Sequence, residues 1–122
     1  MPKTILIVDD SELILSMLEM ICTQLGHATL KASDMTSVPA IVASQTPDVI
    51  ISDLNLPDVQ DPITALRQLP QLAQTPIIIV SGTPQAELDA LAARRGAQGA
   101  ISKDAGLPGM MMQLGPLLDA LS

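Results

Sequence analysis

Phenylalanine, tyrosine and tryptophan are all absent from these 122 residues. Their absence removes the stacking platforms on which single-stranded nucleic acids and flat cofactors sit. Positive charge is scarce: six Lys plus Arg stand against thirteen Asp plus Glu, a formal charge of −7. A phosphate backbone needs a basic face, so direct nucleic-acid binding is excluded. The single cysteine, Cys22, cannot close an internal disulfide and suits a reducing compartment. No apolar run approaches the roughly 18 residues of a membrane span. The opening Met-Pro-Lys-Thr-Ile-Leu-Ile-Val has no small-residue cleavage site, so it does not read as a signal peptide. A cytoplasmic location without membrane insertion is expected. Repeats, low-complexity tracts and linkers are missing too, so residues 1–122 are expected to form one domain. With 48% hydrophobic residues, a chain of this length can bury a core without a disulfide or metal staple.

What is present is a set of short, continuous apolar runs: Ile5-Leu6-Ile7-Val8, Val49-Ile50-Ile51 and Ile77-Ile78-Ile79-Val80. Continuous rather than alternating runs suit strands covered on both faces of a parallel sheet. Ala28–Ala32 and Gly99–Ser102 are weaker strand candidates. Helix-period segments lie between them. The clearest places Ile14, Leu18, Ile21 and Leu25 on one face, with Ser11 as N-cap and Gly26 as stop. A second helix is expected over Met35–Ser44, with Val38, Ile41 and Val42 inward. A third should start at Asp61-Pro62, and a fourth at Thr83-Pro84, running to Arg95 before Gly96. The last, Leu107–Leu121, contains Gly115-Pro116 and should kink or split there. Strand and helix thus alternate five times, an α/β pattern of βα units with helices on both faces. Such sheets place their sites beyond the carboxyl ends of the strands.

Those ends carry chemistry. The first strong strand ends at Asp9-Asp10, the third at Asp53 and the fourth at Ser81, while the weak fifth ends at Lys103. Alone, each has a plain structural reading as a cap, a turn residue or a solvated lysine; together they describe a pocket of three carboxylates, a hydroxyl and an ammonium. Two carboxylates about 5 Å apart repel by roughly 3 kcal/mol at an effective dielectric of 20. Lys103 offsets one charge, and the remainder raises a pKa or recruits a hard divalent ion. All-oxygen donors without a His or Cys cluster select Mg2+ (or Mn2+) over zinc. Magnesium favours phosphate oxygens, and beside it a carboxylate is a competent nucleophile toward phosphorus.

Taken together, Ile-Leu-Ile-Val-Asp9-Asp10-Ser, Asp48-Val-Ile-Ile-Ser-Asp53-Leu-Asn-Leu-Pro57, Ile-Ile-Ile-Val-Ser81-Gly and Gly-Ala-Ile-Ser-Lys103 resemble the receiver domains of two-component response regulators, over essentially the whole chain. The resemblance implies a doubly wound (βα)5, flavodoxin-like (CheY-like) domain with a five-stranded parallel sheet of order 2-1-3-4-5. It implies that Asp53 accepts a phosphoryl group from a phosphohistidine on a sensor histidine kinase or histidine phosphotransfer protein. Asp10 would hold the metal directly and Asp9 through water, alongside Asp53 and the backbone carbonyl of Asn55. Ser81 and Lys103 would contact phosphoryl oxygens, and Asn55 and Thr83 would tune the lifetime of the modified state. Phosphorylation would then switch binding to a separate, unidentified downstream protein; a homodimer is left open. Such a protein is a phosphoacceptor, not an enzyme beyond modifying and demodifying itself.

The chain departs from the family pattern in four places. Ala100 stands where receivers carry an aromatic switch residue, and Asp104 where a proline follows the lysine. Asp61 replaces a glycine after the phosphoacceptor loop, and Gly115-Pro116 interrupts the last helix. An output route without the aromatic switch is therefore expected. Two other readings stay open: a receiver-like interaction module independent of phosphorylation, and a metal-dependent aspartyl-phosphate phosphatase. The phosphatases have their nucleophile first and their acidic pair last, the reverse of the order here. A flavodoxin would need a Ser/Thr/Gly-rich phosphate loop after the first strand, which is missing. Of the remaining features, at least one of Met110-Met111-Met112 is expected in the core, which weighs against reading the run as a soft partner-binding patch. His27 reads as a surface or cap residue, and Cys22 as filler of the first helix's buried face.

Overall fold

The computed structural model describes residues 2–121. Five parallel strands, β1 (Thr4–Val8), β2 (Ala28–Ala32), β3 (Val49–Asp53), β4 (Ile77–Ser81) and β5 (Gly99–Ser102), alternate with five helices: α1 (Glu12–Gln24), α2 (Val38–Ser44), α3 (Pro62–Arg67), α4 (Gln85–Arg95) and α5 (Gly106–Ala120). The sheet order is β2-β1-β3-β4-β5. Both the alternation and the order match the expectation.

Side chains alternate along each strand and build two core layers. Leu6, Val8, Ile50, Ile77 and Ile79 face α2, α3 and α4, where they meet Val42, Leu66 and Leu88. Ile5, Ile7, Ile51, Ile78, Val80 and Ile101 face α1 and α5, where they meet Leu18, Ile21, Cys22, Leu114 and Leu118. Branched aliphatics thus fill the volume that aromatic rings occupy in other cores.

Several details correct the expectations. The buried face of α1 is Leu15, Leu18, Ile21 and Cys22. Ile14 only flanks that core, and Leu25, the residue after the helix, is 40% exposed. The inward stripe is therefore rotated by one residue from the expected one. Ser11 caps α1 as expected, accepting the Ile14 N–H through Oγ, and Gly26 takes the left-handed conformation at φ 89°. Helix α2 is shorter than expected. The Asp34 carboxylate binds the N–H and hydroxyl of Ser37, closing a turn over 34–37, and the helix starts only beyond it with Pro39 in its first turn. Helix α4 starts at Gln85 with Pro84 as a cap lacking a side-chain bond; Thr83 does not cap it, because its hydroxyl is engaged with Ser81. Helix α5 is not split. It runs through Pro116, whose flanking turns are anchored by the fully buried Leu114 and Leu118. Met110 enters the core and Met112 is 77% exposed. His27 is half-buried, its Nδ1 accepting the Lys3 N–H at 3.0 Å. Among the described residues no helix is long and apolar enough to cross a membrane.

Candidate functional site

The parallel register brings the strand ends to one rim: Val8 pairs with Ser52, Asp53 with Val80, and Ser81 with Ser102. Asp9 follows β1, Asp53 closes β3, Ser81 closes β4 and Lys103 follows β5. Asp9, Asp53 and Ser81 are buried and Asp10 is exposed. One carboxylate oxygen each from Asp9, Asp10 and Asp53 lies within 4.8 Å of the others. The Lys103 ammonium spans two of them, 3.1 Å from Asp9 Oδ2 and 3.2 Å from Asp53 Oδ2. Residues far apart in sequence thus meet because the sheet is parallel.

Each carboxylate is aimed. Asp9 Oδ1 accepts the Ser11 N–H at 2.9 Å, and Asp53 Oδ1 accepts the Asn55 N–H at 3.1 Å. These are backbone turns closed by aspartate side chains, and they orient both groups toward the crevice. Burial is the main force pushing the Asp53 carboxyl above its ordinary pKa, with the Asp9 charge adding to it against the opposing Asn55 and Lys103 contacts. Burial would lower the Lys103 pKa, but the Asp9 and Asp53 carboxylates outweigh it and raise the ammonium's pKa.

Charge in the pocket is incompletely balanced. Asp9 Oδ2 is buried and its close partner is the Lys103 ammonium at 3.1 Å, which also serves Asp53. Three carboxylate oxygens within 4.8 Å of one another, set against a single ammonium, fit a hard divalent cation, which takes oxygen donors. On the far side, Ser81 Oγ lies 3.0 Å from Thr83 Oγ1 and accepts the Thr83 N–H at 3.3 Å. Ser81, Thr83 and Asn55 line a crevice of about 210 Å³ that also includes Arg95.

All seven residues expected at the site from the sequence lie along this rim. Others were not anticipated. The Ser52 hydroxyl donates to the Asp53 carbonyl at 2.9 Å, and Arg95 pairs with Asp61 at 3.2 Å beside the crevice. Asp61, the glycine replacement, also caps α3 through Thr64; the Asp-Pro pair signalled that cap, but nothing local signalled Arg95.

The family model for the response regulator receiver domain matches residues 5–114. The chain belongs to that family. Receiver domains serve two-component signalling, and as a class they accept phosphoryl groups and carry an acidic Mg2+-binding pocket. Among relatives, this receiver is 33% identical over 102 residues to Protein PilH of Pseudomonas aeruginosa, covering 81% of this chain and 84% of that one. It is 38% identical over 77 residues to the Transcriptional regulatory protein YxdJ of Bacillus subtilis, covering 63% of this chain; the match spans a third (33%) of that longer protein. The structure of the chemotaxis response regulator CheY4 of Vibrio cholerae superposes with TM-score 0.79 at 25% identity, covering 96% of this receiver and 99% of CheY4.

Proposed function

We propose that residues 1–122, described from 2 to 121, act as one phosphoacceptor receiver domain in a His-to-Asp phosphorelay, with Asp53 as the modified residue. The observation that carries this reading is the Lys103 ammonium held between Asp53 and Asp9, with Asp10 alongside. Asp53 is the carboxylate that combines burial, a raised pKa and contact with both Lys103 and the Asn55 N–H.

An Asp53 oxygen attacks the phosphorus of a phosphohistidine presented by a sensor histidine kinase or a histidine phosphotransfer protein. The P–N bond breaks, its electron pair returns to the imidazole, and an acyl phosphate remains on Asp53. Lys103 pairs with one phosphoryl oxygen. The Ser81 hydroxyl exchanges Thr83 for another. Mg2+ (or Mn2+) would be held by Asp9, Asp10, Asp53 and the Asn55 carbonyl, and when bound supplies positive charge that neutralises the phosphoryl oxygens. Asn55 and Thr83 flank the group and set its lifetime by controlling approach of water. The protein is a phosphoacceptor rather than a turnover enzyme. A reducing cytoplasm suits the free Cys22, and the −7 charge argues for a protein rather than nucleic acid as downstream partner.

Intact mass after incubation with magnesium and acetyl phosphate tests the chemistry. One phosphoryl adduct is expected, absent from Asp53→Asn and from magnesium-free buffer; an unmodified wild-type mass contradicts it. Ala100, with no ring to rotate, favours a second reading in which the pocket no longer drives output. Loading with beryllofluoride, a phosphoryl mimic, separates the two. NMR shifts spreading to α4 and β5 support the switch, and shifts confined to the pocket support the module.

A further inference from the structure

Gln85, the first residue of α4, has every polar atom of its side-chain amide engaged. Nε2 donates to the Ala100 carbonyl at 3.0 Å and to Asp89 Oδ1 at 2.9 Å, while Oε1 accepts the Ser102 N–H at 2.9 Å. A carbonyl and a carboxylate accept and a backbone N–H donates, so these partners fix which way the amide points. A residue of a parallel strand facing Ile101 would make the same pair of bonds, to the carbonyl before it and from the N–H after it. β5 is an edge strand, and the glutamine amide stands in for the missing neighbour.

The clasp bears on the ammonium through Ser102. This residue ends β5, and its Oγ accepts the Asp104 N–H at 3.2 Å, closing the short 3-10 turn that begins with Lys103. A proline at 104 could not make that bond. Lys103 has a long flexible stem, yet its Nζ sits 3.1 and 3.2 Å from two carboxylates; that reach depends on where the turn holds its backbone. Ala100 has no bulk to come between Gln85 and the strand.

We propose that Gln85 is a positioning residue for Lys103: by completing the edge of β5 it fixes Ser102 and the turn that presents the ammonium to Asp53. The proposal rests on the phosphoacceptor reading. Its link is a chain of three consecutive contacts, from Gln85 to Ser102, from Ser102 to Asp104, and from the enclosed Lys103 to Asp53.

Amide exchange and phosphorylation kinetics of Gln85→Ala and Gln85→Glu test it. In Gln85→Ala the Ser102 amide exchanges about tenfold faster. The rate at saturating acetyl phosphate and saturating magnesium falls about three- to tenfold. Gln85→Glu keeps the acceptor for the Ser102 N–H and recovers most of both losses. In a Lys103→Ala background, Gln85→Ala has no further effect on the rate, because it acts through the ammonium; a general structural defect would add to it. Unprotected Ser102 in the wild type, a full rate in Gln85→Ala, or additive losses in the double variant would each overturn the proposal. A wild type that takes no phosphoryl group overturns the phosphoacceptor reading and this one with it, whereas a modified wild type with an indifferent Gln85→Ala overturns the positioning role alone.

Discussion

Replacing Asp53 with asparagine should make the metal-free protein more stable. The three carboxylates present oxygens within 4.8 Å of one another, so at an effective dielectric of about 20 each pair repels by at least roughly 3.5 kcal/mol. Lys103 at 3.2 Å returns about 5 kcal/mol to Asp53 on the same scale. Asp10 is exposed, so its share is discounted to about 1–3 kcal/mol. The sum on Asp53 runs from about 0.5 kcal/mol favourable to about 1.5 kcal/mol unfavourable, before the cost of burying the charge is added. An asparagine side chain would keep an oxygen for Lys103 and lose the repulsion, at the cost of the bond from the part-buried Asn55 N–H. We therefore expect Asp53→Asn to gain about 1–2 kcal/mol in excess EDTA, or several degrees in Tm for a domain of this size. Magnesium should reverse the order: at a hundredfold excess over Kd the wild type gains about 2.7 kcal/mol, and the variant, short of one ligand, gains less. Without aromatic residues the unfolding must be followed by far-UV circular dichroism rather than fluorescence. A metal-free variant less stable than wild type, or equal magnesium gains in both, would refute the charge accounting.

Leu114→Ala, which empties a fully buried position of α5, should cost about 2–5 kcal/mol in urea denaturation; a loss under about 1 kcal/mol would place that helix outside the cooperative core. Asp61 is held below the usual carboxylate pKa, chiefly by the Thr64 hydroxyl. Its contribution is therefore complete above the ordinary value of 3.8 and fades as pH falls through the lower folded value. Tm of Asp61→Asn should accordingly decline less than that of wild type on acidification, and parallel curves would contradict this. Burial pushes the Cys22 thiol up to about 12, so iodoacetamide should label it only as fast as the protein unfolds. Labelling in native buffer at the rate of a free thiol would show that α1 opens locally.

The parallel sheet and its two-sided cover were legible because Ile5–Val8 and Ile77–Val80 are continuous aliphatic runs, which suit strands buried on both faces. The pocket was legible because acidic, hydroxyl and basic residues sit directly at the ends of those runs. Finer geometry was not. The stripe on α1 shifted by a residue because Cys22 and Leu15 fill space that a period count assigns equally well to Leu25 and Ile14. The start of α2 was set by an Asp34–Ser37 turn competing with the helix. Pro116 reads as a helix breaker, yet Leu114 and Leu118 hold both of its turns to the sheet. The Gln85 amide left only a faint local mark, the Asp89 carboxylate four positions on, since its other two partners lie 15 and 17 positions away and are backbone groups.

The central claim is that Asp53 is the residue that takes the phosphoryl group. Borohydride reduces an acyl phosphate to the alcohol with release of phosphate, so an aspartyl phosphate becomes homoserine. After treatment with acetyl phosphate and magnesium, reduction and digestion, peptide mass spectrometry should find homoserine at position 53. Homoserine at position 9 or 10 instead, or aspartate at all three positions in protein that carries the phosphoryl mass, would contradict the account.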